Sequence, residues 1–287
     1  IEAINKSTWS EKWAEYRKRP GSFIMFIFVH LATLITVLSI GFLLVYVLVK
    51  GIPNLNADIF SWEYTSDNCS LVPALINTVY MTLLSLLIAG PIGIFAAIYL
   101  VEYAKTGNKL VGVVRITAET LTGIPSIVYG LFGMLFFTNA CGLRLSLISG
   151  ALTLAIMVLP VIMRTTEEAL MAVPKSYREG SFGLGAGKLR TIFKIVLPSA
   201  VPGILSGVIL ATGRVVGETA ALLFTAGTIA KVAGLMDSGR TLAVHMYALS
   251  SEGLYMNQMY ATGVILMLIV LLINGCSGMI AKKIAKK

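Results

Sequence analysis

The sequence predicts an all-α, polytopic membrane protein with six transmembrane helices. Hydrophobic residues make up 56% of the 287-residue chain and charged residues only 13%, whereas soluble domains carry about 25% charged residues. The apolar residues fall in long uncharged runs, and about 20 such residues are enough to cross the hydrocarbon core as a helix. Lysine and arginine are also unevenly distributed between alternate loops, as in proteins whose loops face two compartments.

Residues 1–20 are predicted to form a cytoplasmic N-terminal segment. The segment is polar and places aromatic residues among five basic side chains, which is unlike a secretory signal peptide. Thr8 and Glu11 have the spacing of a capping box, which favours an amphipathic helix at the membrane surface. A solvated tail is the alternative interpretation.

Six apolar segments follow. The uncharged runs cover residues 20–49, 68–101, 120–143, 145–163 and 253–281, and the segment 195–230 is interrupted only by Arg214 and Glu218. The predicted organisation is a first transmembrane helix at 21–50, an external loop at 51–72, a transmembrane domain at 73–281 and a tail at 282–287. Glycine and proline inside several spans predict a packed bundle of kinked helices.

The basic residues determine the predicted orientation. Eighteen of the 23 lysines and arginines lie in the N-terminal segment, the loops 102–115 and 164–194, and the C-terminal tail. Only four lie on the opposite side, and Arg214 lies within a span. Because basic loops stay in the cytoplasm, both termini are predicted to be cytoplasmic, in a plasma membrane. The net charge of +9 therefore reflects topology, and nucleic acid is not expected as a partner.

No pattern of enzymatic or metal chemistry is present. His30 and His245 are solitary, and the three cysteines have no metal-ligand spacing. Cys69 and Cys141 fall in predicted outer loops; the sequence is compatible with a disulfide, but we favour free thiols. No nucleophile accompanies a base and an orienting group, so the chain is not expected to be an enzyme or to bind a cofactor.

The cytoplasmic connection 164–198 is predicted to be structured. A helical stretch after Arg164 ends at Pro174, and Ser176 with Glu179 has capping-box spacing. A glycine-rich turn follows, after which a helix leads back to the membrane. The stretch GLGAGK is not a nucleotide-binding loop, because Phe182 and Leu189 stand where glycine and a hydroxyl residue are required.

This connection resembles the EAA signature of ABC importer permeases. The matching residues are Glu179, Gly180, Ser181, Gly185, Ile195, Leu197 and Pro198, with glycine and serine replacing the two alanines. The resemblance implies a type I importer permease bundle whose loop docks on a separate ATPase, so ATP would be used by that partner and not by this chain.

Four further segments resemble the A-type permease family of phosphate ABC importers. They are AIYLVEYAK, GIPSIVYGLFG, LPVIMRTTEEAL and GRVVGETAALLFTAG, within a resemblance from about residue 75 to 281. The resemblance implies a bacterial or archaeal phosphate permease. Its implied partners are a second homologous permease, two ATP-binding subunits and an external phosphate-binding protein, besides membrane lipid.

Arg214 and Glu218 are the main candidates for the substrate pathway. A charge at bilayer depth costs ~2.5–3.5 kcal/mol, and a separation of four residues predicts that the two side chains meet on one helix face. Arginine binds oxyanions through two parallel hydrogen bonds, and Thr219 offers a hydroxyl group or packs in the core. An ion pair without a transport role is the structural alternative; the family resemblance implies a role in phosphate passage.

Further expectations concern a local ion pair, a cysteine and an outer loop. Arg115 and Glu119 are expected to form a local pair at the membrane edge. Cys276 is expected to be a small packing residue. The outer loop 225–252, with Asp237, Arg240 and Glu252, is a candidate contact for the external binding protein.

Two alternatives compete with phosphate import. One is a permease for sulfate, molybdate or tungstate, since a single arginine does not distinguish tetrahedral oxyanions. The other is a channel or secondary carrier that uses the charged pair for gating, although such a protein has no need for the structured cytoplasmic connection.

Overall fold

The computed structural model describes residues 20–105 and 107–285. All regular secondary structure assigned among these residues is helical. The predicted capping box at Thr8 lies outside the described residues. The chain divides into two units, the first ending at Lys50 and the second beginning at Gly51. The two units are described separately below.

Helix α1 (Pro20–Gly51) constitutes the described part of the first unit. No residue of its most apolar stretch is buried. The hydroxyl groups of Thr33 and Thr36 donate to the carbonyls of Val29 and Ala32, both at 2.8 Å. Because the polar groups are satisfied within the helix, its surface is compatible with lipid.

Four long apolar helices form the frame of the second unit. They are α2 (Val72–Ile98), α5 (Leu147–Ala172), α8 (Leu197–Val216) and α11 (Met256–Ala285). Two short 3₁₀ helices, Ile52–Asn54 and Ala57–Phe60, precede α2. Together with α1, five helices in the described residues are long and apolar enough to cross a membrane.

A sixth span is bent. Helix α3 (Lys109–Thr122) and helix α4 (Ser126–Gly133), which continues as a π-helical segment to Ala140, meet at 103°. Pro125 causes the break, because its backbone is extended (ψ 141°) and it has no N–H to continue the helix. The sixth predicted span is therefore a bent pair of helices, in agreement with the prediction of kinked helices.

Helix α5 is the centre of the bundle. Buried residues make up 67% of its apolar stretch, and it packs against α2, α3, α4 and α8. Gly150 lies so close to Met81 of α2 that an added Cβ would be 2.8 Å from that side chain. Pro91 and Pro160 lie inside α2 and α5, so the predicted combination of internal proline and close glycine packing is confirmed.

Short helices connect the frame at its two ends. Helices α6 (Lys175–Gly183) and α7 (Lys188–Thr191) lie between α5 and α8, whereas α9 (Ala220–Thr225) and α10 (Leu242–Glu252) lie between α8 and α11. The π-helical segments Tyr99–Tyr103 and Ile192–Val196 follow α2 and precede α8. His245 thus lies in a helix rather than in a loop.

The structure corrects the predicted local ion pair at the start of the third span. Arg115 binds Glu167 of α5 at 2.5 Å, and Glu119 is 3.5 Å from Arg164. Both carboxylates pair across helices, because α3 lies against α5 and places side chains there that are distant in sequence.

Two further local predictions are also corrected. Helix α6 begins at Lys175, so Ser176 is already inside the helix and makes no capping hydrogen bond. Cys276 is exposed rather than packed in the core. The preference for free thiols is confirmed, with Cys69 buried and Cys141 exposed.

Candidate functional site

The predicted charged pair lies at a break between two helices. Helix α8 ends at Val216, and the Gly217 amide bonds back to the Gly213 carbonyl at 3.2 Å. Helix α9 starts only at Ala220. Arg214 and Glu218 therefore do not share one helix face, and no ion pair joins them in the part of the chain that the structure describes. The prediction of a meeting pair is wrong because the helix ends between its two members.

Glu218 is stabilised by the backbone of α9. Glu218 is only 8% exposed, and its Oε1 accepts a hydrogen bond from the Ala221 amide at 3.1 Å. A carboxylate at the start of a helix satisfies an amide that has no intrahelical partner and lies at the positive end of the helix dipole. The cost of burying this carboxylate is thus offset by α9 and not by Arg214.

Arg214 occupies the last turn of α8, where the helix dipole favours a cation. The residue is partly buried, and its guanidinium makes no hydrogen bond or ion pair with any described residue. Its charge is close enough to act on the hydroxyl group of Tyr129, which donates to the Leu121 carbonyl at 2.8 Å. The guanidinium donors consequently remain available to an anion.

Thr219 lies between the two helices and is partly buried. Its Oγ1 is 3.5 Å from the Gly217 carbonyl, which is the long limit of a hydrogen bond. The hydroxyl group therefore retains most of its capacity to bind another partner at the break.

Small residues on α4 hold α9 in place. A Cβ added to Gly130 would lie 2.8 Å from the Ala221 Cα, and one added to Gly133 would lie 2.7 Å from the Thr225 side chain. Both glycines lie in the predicted kinked span, but their contact with α9 was not predicted. Their spacing of three residues, which puts both on one helix face, was the available signal.

The residues of the EAA-like motif extend from the second half of α6 to the start of α8. Gly185 has φ +80°, and the Ala186 amide bonds to the Ser181 carbonyl at 3.1 Å. The hydroxyl groups of Ser181 and Thr191 are 2.8 Å apart and buried, so α6 and α7 are joined at their base. Glu179 and Gly180 are exposed beside them.

The second half of the motif leads into α8. Ile195 and Leu197 are partly buried, and Leu197 packs against the apolar cluster that contains Val196. Pro198 lies in the first turn of α8, where a missing N–H costs nothing. Large apolar side chains are exposed around this segment, at Tyr177, Phe182, Leu184, Leu189 and Phe193.

Sequence reasoning missed the contact that anchors α6. Arg178 donates from Nη2 and Nε to Glu102, at 2.6 and 3.0 Å. Its Nη1 and Nη2 also donate to the carbonyls of Val173 and Leu170, both at 2.9 Å. One guanidinium therefore ties α6 to the end of α5 and to the π-helical segment after α2. Glu102 stands in the quoted stretch AIYLVEYAK, but the partner 76 residues away could not be identified.

Comparison with known proteins places these features in a family context. The family described as binding-protein-dependent transport system inner membrane component matches residues 89–286. The probable ABC transporter permease protein YqgI of Bacillus subtilis is 34% identical over 244 residues, covering 78% of this chain and 81% of the relative. The phosphate transport system permease protein PstA of Haemophilus influenzae is 31% identical over 250 residues, covering 85% and 88%.

A similar fold occurs among solved structures. A chain of a bacterial alginate ABC transporter, in complex with an alginate-bound periplasmic protein, has a TM-score of 0.70 and covers 95% of this chain and 98% of that one. The identity is only 16%, so this likeness concerns the fold alone.

Proposed function

Because the chain belongs to the family of binding-protein-dependent transport system inner membrane components, we propose that it is a transmembrane permease subunit of an ATP-driven inorganic phosphate importer. Relatives at 31–41% identity that cover half or more of this chain are named phosphate transport system permease proteins. The all-helical bundle and its structured connection between α5 and α8 support the same assignment.

The helix break between α8 and α9 is the proposed phosphate pathway. The observation that carries this proposal is a partly buried Arg214 guanidinium that no described protein group binds. Its planar donors suit the oxygens of phosphate, and it stays charged when water is removed. Glu218 adds a nearby negative charge that is held by α9, which limits how tightly the anion is retained. Thr219 provides a hydroxyl group at the same break.

The segment around α6 is the proposed docking element for the ATPase. Its exposed aromatic and aliphatic side chains, among them Phe182 and the 91% exposed Leu184, form an apolar surface that suits a protein partner. Glu179, Gly180 and Gly185 shape this surface. ATP is hydrolysed on the partner, and movement of α6 reaches the bundle through Arg178 and the helix that continues into α8.

The proposed assembly contains a second, homologous permease, two ATP-binding subunits and an external phosphate-binding protein. Both termini and α6 face the cytoplasm, as the excess of basic residues on that side predicts. Arg240 is buried, so the part of segment 225–252 that meets the binding protein is limited to exposed residues such as Asp237 and Glu252.

The other readings have less support. Relatives named for phosphate do not favour sulfate, molybdate or tungstate as the substrate. A channel or secondary carrier does not need a docking segment, whereas this chain has an exposed one that Arg178 anchors through four hydrogen bonds.

The test is uptake of labelled phosphate in cells that have this permease as their only phosphate importer. Arg214→Gln is expected to lower uptake by roughly tenfold or more, since a hydrogen bond to a charged group contributes about 1.5–3 kcal/mol. Arg214→Lys should retain part of the activity, and Lys109→Gln, which removes an exposed charge, should retain all of it. Arsenate should compete, whereas sulfate and molybdate should not.

Unchanged uptake by Arg214→Gln would remove this residue from the pathway. Competition by sulfate would contradict phosphate as the substrate. Immunoblotting of membrane fractions confirms that each variant is inserted in equal amount.

A further inference from the structure

A second group of polar side chains lies at the end of the bundle opposite α6, around the N-terminus of α10. Arg240, Thr241 and His245 are 4%, 2% and 0% exposed. Thr241 is the residue that precedes the helix, and its side chain makes no capping hydrogen bond. Three polar side chains from a single turn of chain are therefore withdrawn from solvent at the positive end of a helix of 11 residues.

These side chains have polar atoms that no described residue satisfies. The unpartnered atoms are Nε and Nη2 of Arg240, Oγ1 of Thr241, and Nδ1 and Nε2 of His245. The main chain of Cys69 lies near the His245 ring, but neither ring nitrogen meets it in hydrogen-bonding geometry. Buried polar groups are normally hydrogen-bonded, so five unpaired atoms on three residues of one short stretch indicate a missing partner.

The charge of this group also lacks compensation. No carboxylate forms an ion pair with Arg240 in the described residues; its guanidinium carbon lies 4.5 Å from the centre of the Tyr64 ring. A cation–π contact of this kind is weaker than the cost of withdrawing a guanidinium from water. His245 cannot compensate the charge of Arg240. Burial and the nearby guanidinium lower the pKa of the His245 imidazole to about 3, so the ring is neutral near pH 7.

The backbone around these side chains is tied to α2 by hydrogen bonds. Asn77 of α2 donates to the Arg240 and Lys231 carbonyls, at 3.1 and 2.8 Å, and accepts from the Ala233 amide at 3.0 Å. The Leu242 amide donates to the Thr78 hydroxyl at 2.8 Å. The backbone that carries Arg240 and Thr241 is therefore anchored to α2.

We propose that Arg240, Thr241 and His245 bind a small inorganic anion at the N-terminus of α10. The guanidinium provides charge and two unpaired donor nitrogens, the Thr241 hydroxyl provides a third donor, and a neutral imidazole provides one N–H. Chloride and phosphate share the chemistry that this set recognises. The site is separate from the break at Arg214, and the proposal does not depend on which anion is transported.

Occupancy of this site stabilises the outer end of the bundle. The anion compensates the buried charge of Arg240, and through Tyr64 the guanidinium also contacts the segment before α2. Tyr64 packs edge-on against His245 with 6.0 Å between ring centres, so the two segments share this aromatic contact. Binding is therefore expected to appear as greater resistance to unfolding.

The experiment is thermal unfolding of the purified full-length permease with its partner subunits, in buffers of equal ionic strength that contain gluconate, chloride or phosphate. The wild type is expected to unfold about 5 °C or more higher in chloride or in phosphate than in gluconate, a bulky organic anion used as the reference. A shift in only one of the two arms identifies which anion is bound.

Variants make the result specific to this site. Arg240→Gln should abolish the anion-dependent shift, and Thr241→Ala should reduce it. Arg144→Gln, which removes an exposed arginine outside this cluster, should leave the shift unchanged. If Arg240→Gln does not fold, Thr241→Ala and an anomalous-scattering peak for bromide beside Arg240 decide the question. Equal unfolding temperatures of the wild type in all three buffers, or an undiminished shift in Thr241→Ala and Arg240→Gln, would overturn the proposal.

Discussion

Glu218 shows how one residue can be charged and buried without the expected partner. Its carboxylate accepts from the Ala221 amide instead of meeting Arg214. The separation of the two charges supports the proposed phosphate pathway, since a guanidinium already bound to a carboxylate has fewer donors for an anion. At the residue scale, the helix end at Gly217 is what leaves Arg214 available.

Substitutions of Glu218 distinguish its two roles. Glu218→Gln keeps an oxygen that can accept from Ala221, so stability should change little; Glu218→Ala removes the cap and should cost about 0.5–2 kcal/mol. Both variants should slow phosphate uptake, because the anion is then held more tightly by Arg214. Thermal unfolding and initial uptake rates at several phosphate concentrations measure the two effects. Equal unfolding temperatures for the two variants would contradict the capping role.

Gly130 determines the position of an entire element, the short helix α9. Gly130→Ala places a Cβ 2.8 Å from the Ala221 Cα, so either α4 or α9 must move. We expect a loss of about 1–3 kcal/mol in stability and impaired phosphate uptake. Gly112→Ala in α3 is the matched control, because nothing lies within 4 Å of its added Cβ. Unfolding temperature and uptake are measured for both. A Gly130→Ala protein as stable and active as Gly112→Ala would show that this contact does not position α9.

The proposed docking element for the ATPase is anchored to the bundle by Arg178. Its side chain is 17% exposed and that of Glu102 is 9% exposed, so the pair is partly withdrawn from water. Arg178→Lys cannot reproduce the four hydrogen bonds of the guanidinium. We expect phosphate uptake to be lost. ATP hydrolysis by the assembled complex should continue, but the binding protein should no longer change its rate.

Arg190→Lys is the control for this variant, since Arg190 is an exposed arginine of α7. ATP hydrolysis and uptake are measured with the complex reconstituted in liposomes. Normal stimulation of the ATPase in Arg178→Lys would contradict a coupling role for the Arg178–Glu102 contact. Loss of the ATPase from the purified complex would instead place Arg178 in docking.

At the scale of the whole molecule, α5 organises the bundle and α1 is a unit by itself. Helix α5 is the most buried of the five candidate spans, and α1 is the most exposed. This contrast explains why the second unit has an apolar core of its own, formed largely by α2, α5, α8 and α9. The two ends of that core carry the proposed docking segment and the proposed anion site.

The orientation of the whole molecule can be tested with its own cysteines. Cys141 is exposed after the π-helical segment that continues α4, whereas Cys69 is buried. In a Cys276→Ser background, which removes the other exposed thiol, a membrane-impermeant maleimide should label Cys141 in intact cells. Adding Cys141→Ser should remove the signal, because Cys69 is buried. Labelling of Cys141 only after the cells are permeabilised would reverse the proposed orientation.

The sequence by itself determined the helical class, the apolar spans and the form of the connection between α5 and α8. Each depends on local properties: the summed hydropathy of about 20 residues, the loss of an N–H at Pro174, and the positive φ of Gly185. The uncharged run 120–143 was counted as one of six kinked spans, but its hydropathy does not indicate the size of the bend at Pro125, which is 103°.

Only the tertiary structure decided which charged groups meet. Arg178 binds Glu102, Arg115 binds Glu167, and Arg214 is separated from Glu218. It also revealed that Arg240 and His245, which looked like unrelated residues of an outer loop, are buried beside the same tyrosine. The physical reason is that side-chain partners depend on how helices pack, which brings together residues that are distant in sequence, such as Arg178 and Glu102, 76 positions apart.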